Sequence, residues 1–322
     1  MSVAAIVLAA GQGTRMKSEL LKVLHPVAGL PMIQYVINAV KSAQVRDLYL
    51  IVGHQKSSLM SYCEGQDVHF VSQDQQLGTG HAVMQAVPHL RQNPPSQVIV
   101  LAGDCPLIQP QSIQAALADH HEHQSSVTVL TTCLDDPAQY GRIVRDEQGA
   151  LLRIQEFKDC SDTERQINEI NSGIFVFNTS DLLTHLDQLT TNNQQQEYYL
   201  TDMVALVKAA GKTVTAYCHA HSDEVMGINS RAELAQASQV VYQQINQRHM
   251  AAGVSIQDPQ STFIDASVEI GSDTVIEPFT ILKGATQIAS HCHIGAHSYL
   301  SDVSVQEGEV LPAYSRRDQV PS

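Results

Sequence analysis

The sequence predicts an α/β chain in two parts: a domain with a Rossmann-like mixed, mostly parallel sheet, then a short parallel β-helix. Three observations carry this prediction. Strand-like and helix-like segments alternate over the first two thirds of the chain, a long helical segment follows, and a six-residue repeat fills most of the remainder. Alternation is typical of a parallel sheet covered by helices on both faces, whereas a period of six is the signature of a β-helix.

Six segments of the first part are strand candidates and four are helix candidates. The strands are Ala4–Leu8, Leu48–Val52, His69–Val71, Val98–Leu101, Ser126–Thr132 and Ile174–Phe177, and the helices are Met32–Ala43, Thr79–Ala86, Gln111–His121 and Tyr199–Ala210. Ligands bind such sheets at the carboxyl ends of the strands. Two turns fall at such ends, Gly11–Met16 and Ala102–Leu107.

The long helical segment runs from Ser230 to about Ala252. Ser230 and Glu233 fit a capping box, and Gly253 fits the usual helix stop. A helix of this length suits a connector between the two parts.

The repeat begins at Ile264 and divides into seven blocks, each starting with Ile or Leu: IDASVE, IGSDTV, IEPFTI, LKGATQ, IASHCH, IGAHSY and LSDVSV. It resembles the repeat of the left-handed β-helix family, in which three blocks form one triangular coil, so we expect a little over two coils. The resulting division places the α/β domain at residues 1–229, the connecting helix at 230–252, the β-helix at 253–311 and a flexible polar tail at 312–322.

The composition is that of an ordinary globular protein, with 43% apolar residues and a formal net charge of −14. So acidic a chain does not suit a nucleic-acid or acidic-membrane partner, either of which requires a basic face. The six cysteines include no CxxC pair, and scattered thiols without a secretory signal favour the reducing cytoplasm. The apolar run Val3–Ala10 is too short to span a membrane and reads as a strand buried on both faces. We expect a cytoplasmic protein with neither a nucleic-acid nor a membrane partner.

The first turn, in VAAIVLAAGQGTRMKS, is a candidate phosphate loop. It is not a dinucleotide fingerprint, because Met16 stands where the third glycine belongs, and neither a Walker nor a kinase loop matches. Two glycines followed by Arg15 and Lys22 still offer backbone N–H groups and two cations to a triphosphate. Two glycines alone would favour the alternative, an ordinary strand–turn–helix whose nearby cations are solvated. The presence of Arg15, Lys22 and Pro26 in the same short loop reverses that preference.

The stretch LAAGQGTRMKSELLKVLHPVAGLPM resembles the signature of sugar-phosphate nucleotidyltransferases. Its KVLHPVAG variant is most similar to bacterial N-acetylglucosamine-1-phosphate uridyltransferases, the N-terminal halves of bifunctional enzymes. Leu21 departs from the family, which usually has proline before the lysine. Further matching segments follow in the family's order: QDQQLGTGHAV, LAGDCPLI, YGRI, IQEFKD, EINSGIF, EYYLTD and VMGINSR. The ordered set is far more specific than any single motif.

The resemblance implies a role for each matching residue. Arg15 and Lys22 would be catalytic, stabilising the pyrophosphate that leaves. Substrate would bind at Leu8, Ala9, Ala10, Gly11 and Gly13 in the loop, at Gln73, Gly78 and Thr79 around uracil, and at Gly141, Glu156, Asn171 and Asn229. Asp104 and Asn229 would hold Mg²⁺, the one cofactor implied.

Several of these residues also have a plain structural interpretation. Asp104 fits a turn near a proline, Asn229 fits a helix N-cap beside Ser230, and Glu156 fits a solvated carboxylate at a strand edge. The histidine-rich segment Asp119–Gln124 is expected to be a solvated helix end rather than a metal site.

The implied reaction converts UTP and N-acetylglucosamine 1-phosphate into UDP-N-acetylglucosamine and pyrophosphate, by in-line attack of the sugar phosphate on the α-phosphorus. Transfer to another hexose 1-phosphate and a non-catalytic sugar-nucleotide sensor are the alternatives, while an acyltransferase would rest on the hexapeptides alone. The bifunctional relatives build their acetyltransferase site from later coils, so we expect no acetyltransferase activity. The family associates through its β-helix, which makes a homotrimer the expected assembly and a monomer the alternative.

Overall fold

The computed structural model describes residues 2–318, which form two compact units. The first comprises the chain up to Leu24 together with Met32–Asn229, and the second comprises His25–Pro31 together with the chain from Ser230 onward. Assignment of His25–Pro31 to the second unit departs from the expected division. The reason is that this segment forms a hairpin that packs within the second unit.

The first unit is built on a nine-stranded sheet. The strands up to Cys218 are β1 (Val3–Leu8), β2 (Pro26–Val27), β3 (Leu30–Pro31), β4 (Asp47–Val52), β5 (His69–Ser72), β6 (Gln97–Ala102), β7 (Val127–Cys133), β8 (Arg142–Arg145), β9 (Leu151–Gln155), β10 (Glu169–Asn178) and β11 (Val214–Cys218). Of these, β2 and β3 belong to the second unit.

The helices cover both faces of this sheet or follow it in the chain. They are α1 (Met32–Ser42), α2 (Lys56–Tyr62), α3 (Thr79–Gln92), α4 (Pro110–Glu122), α5 (Thr179–His185), α6 (Asp202–Ala209), α7 (Ser222–Val225) and α8 (Arg231–Ala251). Only α8 lies in the second unit.

The order of strands across the sheet is β11-β7-β10-β6-β1-β4-β5, and the β8–β9 hairpin joins it through β10. Strand β1 pairs in parallel with β4 and β6, and β11 pairs in parallel with β7. Strand β10 runs antiparallel to both of its neighbours in that order, β6 and β7. The sheet is therefore mixed and mostly parallel, as the sequence predicts.

Alternate residues of the central strands enter two separate cores, because successive side chains of a strand point to opposite faces. On one face Ile6 packs in a cluster with residues of α3 and α6. On the other, Val7 packs with Ile33 and Ile37 of α1. Burial on both faces explains why β1 reads as a continuous apolar run.

The sequence missed the less apolar elements of the first unit. Strand β8 of the hairpin β8–β9 contains Arg142, a buried residue whose guanidinium donates to the backbone carbonyls of Pro137 and Ala138. Because a charged residue occupies a buried position, apolar alternation does not mark this strand. Strand β10 begins at Glu169, ahead of the expected Ile174. Helix α6 begins at Asp202 rather than Tyr199, because the residues before it hydrogen-bond outside the helix.

Among residues 2–318, no helix combines the length and apolar composition that a membrane span requires.

The second unit begins with α8, whose start matches the sequence prediction. Ser230 is the N-cap, and its side chain and that of Glu233 exchange the two hydrogen bonds of a capping box. The hairpin β2–β3 packs in this unit too: the carbonyl of Ala28 accepts from the Ala266 N–H, and Gly29, at φ 86°, lies against Asp265.

The β-helix of the second unit contains the short strands β12 (Ser255–Ile256), β13 (Phe263–Ile264), β14 (Glu269–Ile270), β15 (Val275–Ile276), β16 (Ile281–Lys283), β17 (Gln287–Ile288), β18 (His293–Ile294), β19 (Tyr299–Ser301), β20 (Ser304–Val305), β21 (Val310–Leu311) and β22 (Arg316–Asp318). They stack into three parallel sheets, β12-β15-β18-β21, β13-β16-β19-β22 and β14-β17-β20. Three parallel sheets built from hexapeptide blocks agree with the left-handed β-helix expected from the repeat.

The eleven strands β12–β22 form three complete coils of three sides each and two sides of a fourth. This is more than the little over two coils expected. Ile256 was missed because it lies eight positions before Ile264, whereas the repeat has a spacing of six. The expected flexible tail is wrong up to Asp318: β22 pairs in parallel with β19, and Arg317 takes the place in the repeat where Ile or Leu usually stands. The rest of that tail, residues 319–322, lies outside the described residues.

Candidate active site

The turn after β1 places a glycine directly against a lysine. The chain leaves β1 at Leu8 and passes through Gly13 into a 3₁₀ turn at Thr14–Met16. Gly13 has φ 62°, and a Cβ on it would lie 2.5 Å from Cβ of Lys22. Only glycine suits this position, because its backbone is left-handed and the stem of Lys22 fills the space a side chain would need.

A pocket of about 260 Å³, which we term the loop pocket, lies beside this turn at the carboxyl ends of β1 and β6. It is lined by Leu8, Ala9, Gly11, Gly13, Thr14, Arg15, Lys22, Val23, Ala102, Asp104 and Asn229. The structure thus brings together the expected loop residues except Ala10, both expected cations and both expected metal ligands. Thr14, Val23 and Ala102 also line the pocket and were not predicted. Ala10 instead lies beneath Gly53, on which a Cβ would come within 2.8 Å of the Ala10 Cβ.

Charged and amide groups converge in the loop pocket. The ammonium of Lys22 forms an ion pair with Asp104 Oδ2 and donates to Asn229 Oδ1 at 2.5 Å. Arg15 Nη2 donates to the same Asn229 oxygen at 2.8 Å. The side chains of Lys22 and Asp104 are 13% and 19% exposed, so the ion pair is largely shielded from solvent.

Neighbouring groups fix the orientation of Asp104 and Asn229. Asn229 Nδ2 donates to the carbonyl of Gly227 at 2.9 Å; since a carbonyl only accepts, Oδ1 is the atom that faces the cations. The Ile228 N–H donates to the backbone carbonyl of Asp104, tying the two segments together. Asp104 Oδ1 accepts from the thiol of Cys105, whose pKa burial raises, so the thiol stays a neutral donor.

A second group of expected residues surrounds Gln73, at the end of β5 and the start of α3. Gln73 is buried, and its Nε2 donates to the carbonyl of Gly78 at 3.1 Å and contacts His81 Nδ1 at 3.0 Å. The Gly78 carbonyl fixes the amide, leaving Gln73 Oε1 as an acceptor on the opposite side. His81 was not predicted, and no simple signal marks a histidine one turn into a helix as the partner of that amide.

A third group consists of Gly141, Glu156 and Asn171. A Cβ on Gly141 would lie 3.5 Å from Glu156 Oε2 and 3.6 Å from the Asn171 Cβ, so the three residues meet. Asn171 Oδ1 accepts from the Gly173 N–H, which leaves its Nδ2 as the donor end. Burial raises the pKa of Glu156, with Asp202 among the acidic neighbours that add to the effect.

The segment Tyr198–Thr201 links the second and third groups. The Leu200 N–H donates to Thr79 Oγ1 at 3.0 Å, and the Thr201 hydroxyl donates to Glu156 Oε1 at 3.0 Å. The backbone of Tyr198 also pairs with Leu77 and Gly80. The sequence marked EYYLTD as a bordering segment, but the hydroxyl of Thr201 was not among the expected site residues.

The structure differs from the plain structural interpretation for Asn229 and Glu156 and agrees with it in part for Asp104. Asn229 is not the helix N-cap, because Ser230 has that role. Glu156 is half-buried and hydrogen-bonded rather than a solvated carboxylate. Asp104 does lie in a turn after β6 but is also ion-paired with Lys22.

The histidine-rich segment is only partly as expected. Helix α4 does end there, at Glu122, and His121 and His123 are exposed. His120, however, is buried and contacts Thr128 and Asn178, so the expectation of a solvated end is wrong for this residue. Burial lowers the pKa of His120, which favours its neutral form.

Asp104 and Asn229 fit Mg²⁺ by the chemistry of their donors. A carboxylate and an amide oxygen are hard ligands, and both contact a single cation, the ammonium of Lys22. Within residues 2–318, neither this site nor any other contains a group of three or more His, Cys, Asp or Glu side chains that could hold a metal ion. Magnesium sites that combine one or two protein oxygens with substrate phosphates need no such group.

Comparison with known proteins decides the family. The MobA-like NTP transferase domain matches residues 5–158. The bifunctional protein GlmU of Syntrophomonas wolfei is 45% identical over 316 residues, covering 98% of this chain and 70% of its own length. The chain belongs to the GlmU family. The GlmU proteins of Brevibacillus brevis and Enterococcus faecalis are each 44% identical to it and cover 95% and 92% of this chain.

Membership of the GlmU family confirms the class predicted from the ordered motifs, a sugar-1-phosphate nucleotidyltransferase. The NTP transferase match spans β1 to β9 and contains Arg15, Lys22 and Asp104. The chain spans 70%, 66% and 65% of the lengths of the three GlmU proteins named above.

Proposed function

We propose that this chain transfers the uridylyl group of UTP to N-acetylglucosamine 1-phosphate, forming UDP-N-acetylglucosamine and pyrophosphate. The observation that carries the proposal is the loop pocket, where Arg15, Lys22, Asp104 and Asn229 meet beside a glycine turn. Two cations and two oxygen ligands in one pocket are what a reaction between phosphates requires. Membership of the GlmU family supports the choice of reaction.

The reaction brings two anions together, so the protein must mainly neutralise charge and align the reactants. An oxygen of the sugar phosphate attacks the α-phosphorus of UTP, and pyrophosphate leaves in line. No general base is needed, because the attacking phosphate is already ionised at neutral pH. Arg15 offers a planar fork to the leaving phosphates, and Lys22 offers a mobile point charge.

We propose that Mg²⁺ is the cofactor and that Asp104 and Asn229 hold it. When bound, the ion supplies positive charge to the phosphates as they react. The contacts from Ile228 and Cys105 hold Asp104 in place, and the carbonyl of Gly227 holds Asn229. The protein therefore orients both ligands through its own structure.

The two other groups suit the rest of the substrates. Gln73 Oε1 is an acceptor, which matches the N3–H donor of uracil and not the N3 acceptor of cytosine. Around the sugar, Glu156 can accept from hydroxyl groups and Asn171 Nδ2 can donate to a carbonyl oxygen such as that of an acetamido group. These polarities support a uridine nucleotide and an N-acetylated sugar.

The deciding experiment follows pyrophosphate release from UTP and N-acetylglucosamine 1-phosphate, with Mg²⁺ and with a chelator. A substrate panel substitutes CTP and dTTP for UTP, and glucose 1-phosphate for the amino sugar. We expect fast, metal-dependent release with the uridine and N-acetylated pair. A faster rate with another hexose 1-phosphate would support the first alternative, and UTP binding without release from any pair would support a sensor.

Three further expectations stay predictions. A chain without acetyltransferase activity releases no coenzyme A above background from acetyl-coenzyme A and glucosamine 1-phosphate. In sedimentation, a homotrimer formed through the β-helix has three times the mass of the chain, whereas the alternative, a monomer, has the mass of a single chain. A cytoplasmic location is checked by fractionating cells of the source organism.

A further inference from the structure

The ammonium of Lys22 lies between the two oxygens that we assign to the metal. It pairs with Asp104 Oδ2 and lies 2.5 Å from Asn229 Oδ1. We propose that Lys22 acts as a resident cation that closes the metal site until nucleotide phosphates draw its ammonium away, so that Mg²⁺ and nucleotide bind together. This inference rests on the proposed function, which assigns Asp104 and Asn229 to the metal.

The ammonium and a metal ion cannot use these oxygens together. Mg²⁺ binds its ligands at about 2.0–2.1 Å, so an ion on Asp104 and Asn229 would lie within van der Waals range of Nζ as now placed. The two positive charges would repel in a place that is largely shielded from water, where such repulsion is strongest. Metal binding therefore requires the lysine head to move.

Asp104 keeps a cation partner throughout the exchange. Within residues 2–318, Asp104 forms its ion pair with Lys22, whereas the guanidinium of Arg15 donates a hydrogen bond to Asn229 instead. A largely shielded carboxylate that lost Lys22 with nothing in return would be destabilised, but arrival of the metal restores the lost positive charge. The exchange thus replaces one cation by another at the same carboxylate.

The place to which the lysine head moves is close by. The stem of Lys22 lies against the glycine turn, its Cβ, Cγ and Cδ within 2.5–3.2 Å of where a Cβ on Gly13 would stand. Phosphates held by this turn would be within reach of the ammonium through rotation of the lysine side chain. A bound nucleotide would thereby favour release of Asp104 and Asn229, and by linkage the metal would strengthen nucleotide binding equally.

The test measures binding of Mn²⁺, as a paramagnetic substitute for Mg²⁺, by electron paramagnetic resonance in the absence of nucleotide. We expect Lys22→Met, which keeps the stem and removes the charge, to bind Mn²⁺ at least tenfold more tightly than the wild type. Adding Asp104→Asn to Lys22→Met should abolish the gain. Lys17→Met, the same change at an exposed lysine of the same turn, is the matched control and should leave the affinity within about twofold of wild type.

Equal or weaker Mn²⁺ binding by Lys22→Met would overturn the proposal, as would an equal gain in Lys17→Met. Circular dichroism and thermal melting check that Lys22→Met is folded, and Lys22→Gln serves the same purpose if it is not. Lys22→Arg keeps the charge and should keep the weak affinity. If the wild type releases pyrophosphate but removing the Lys22 charge gives no gain in Mn²⁺ affinity, the proposed function stands and the resident-cation role fails. Absence of pyrophosphate release together with a gain in Mn²⁺ affinity would overturn the proposed function alone.

Discussion

Thr201→Val tests whether the segment Tyr198–Thr201 prepares the sugar side of the site. Thr201 is the residue before α6, yet its hydroxyl does not cap that helix; it donates to Glu156 Oε1 at 3.0 Å instead. Valine has nearly the same shape as threonine but no donor. The substitution therefore removes one hydrogen bond from Glu156 while preserving the packing of a residue that is 4% exposed.

The size of the effect follows from this hydrogen bond. Bonds to charged groups contribute about 1.5–3 kcal/mol, and about 1.4 kcal/mol corresponds to a tenfold change. We expect the KM for N-acetylglucosamine 1-phosphate to rise about tenfold or more, and the KM for UTP to change less than about twofold. Burial already raises the pKa of Glu156 and the Thr201 bond opposes that rise, so its loss should move the acidic limb of kcat/KM to higher pH.

The assay is steady-state pyrophosphate release across pH, with Thr184→Val as the control. The Thr184 hydroxyl bonds to the Ser180 carbonyl on the exposed face of α5, so the same substitution there should leave both constants unchanged. An unaltered sugar KM and pH profile in Thr201→Val would refute the reasoning. So would equal increases in both KM values, since they would point to a general disturbance of the site.

Three more predictions concern individual residues of the site. If Asp104 holds the metal as proposed, Asp104→Ala should lower turnover about a hundredfold or more by loss of that charge-stabilising ligand, and an unchanged rate at saturating Mg²⁺ would contradict the proposed role. Burial raises the pKa of Glu156, so its ionised form destabilises the fold as pH rises above the ordinary carboxyl value of about 4.3. Glu156→Gln should therefore raise Tm at pH 7.5 but not at pH 4, and an equal or lower Tm at pH 7.5 would count against this. Gly78 has φ 107°, and a Cβ on it would lie 2.6 Å from the Tyr198 carbonyl oxygen. Thermal melting should therefore show a larger decrease in Tm for Gly78→Ala than for Gly149→Ala, where φ is 81° and nothing lies within 4 Å of the added Cβ.

Apolar patterning predicts the parts of the fold that are buried simply. Strand β1, covered on both faces, and α8, with its capping box, match the sequence closely. Patterning fails where burial depends on polar partners. Arg142 is buried because backbone carbonyls surround its guanidinium, and no local period marks that arrangement.

The ordered motifs predict most of the residues that the structure brings together in these three groups, but not the contacts among them. Lys22 and Asn229 are separated by 207 positions, and only the folded sheet brings their side chains together. The position of the Lys22 ammonium between Asp104 and Asn229 is likewise a property of the fold. Thr201 was missed because its hydroxyl reaches Glu156 only when residues 199–201 stay outside the helix that the sequence places there.

The hairpin β2–β3 limits how the chain can be recombined with its relatives. Although it lies early in the chain, Val27 and Ala28 are buried within the second unit, and Gly29 has no room for a Cβ beside Asp265. A chimera joined once, after Asn229, would set the hairpin of one parent against the helix and coils of the other. Exchange of the β-helix between family members therefore requires three junctions, after Leu24, Pro31 and Asn229, so that residues 25–31 are transferred along with it.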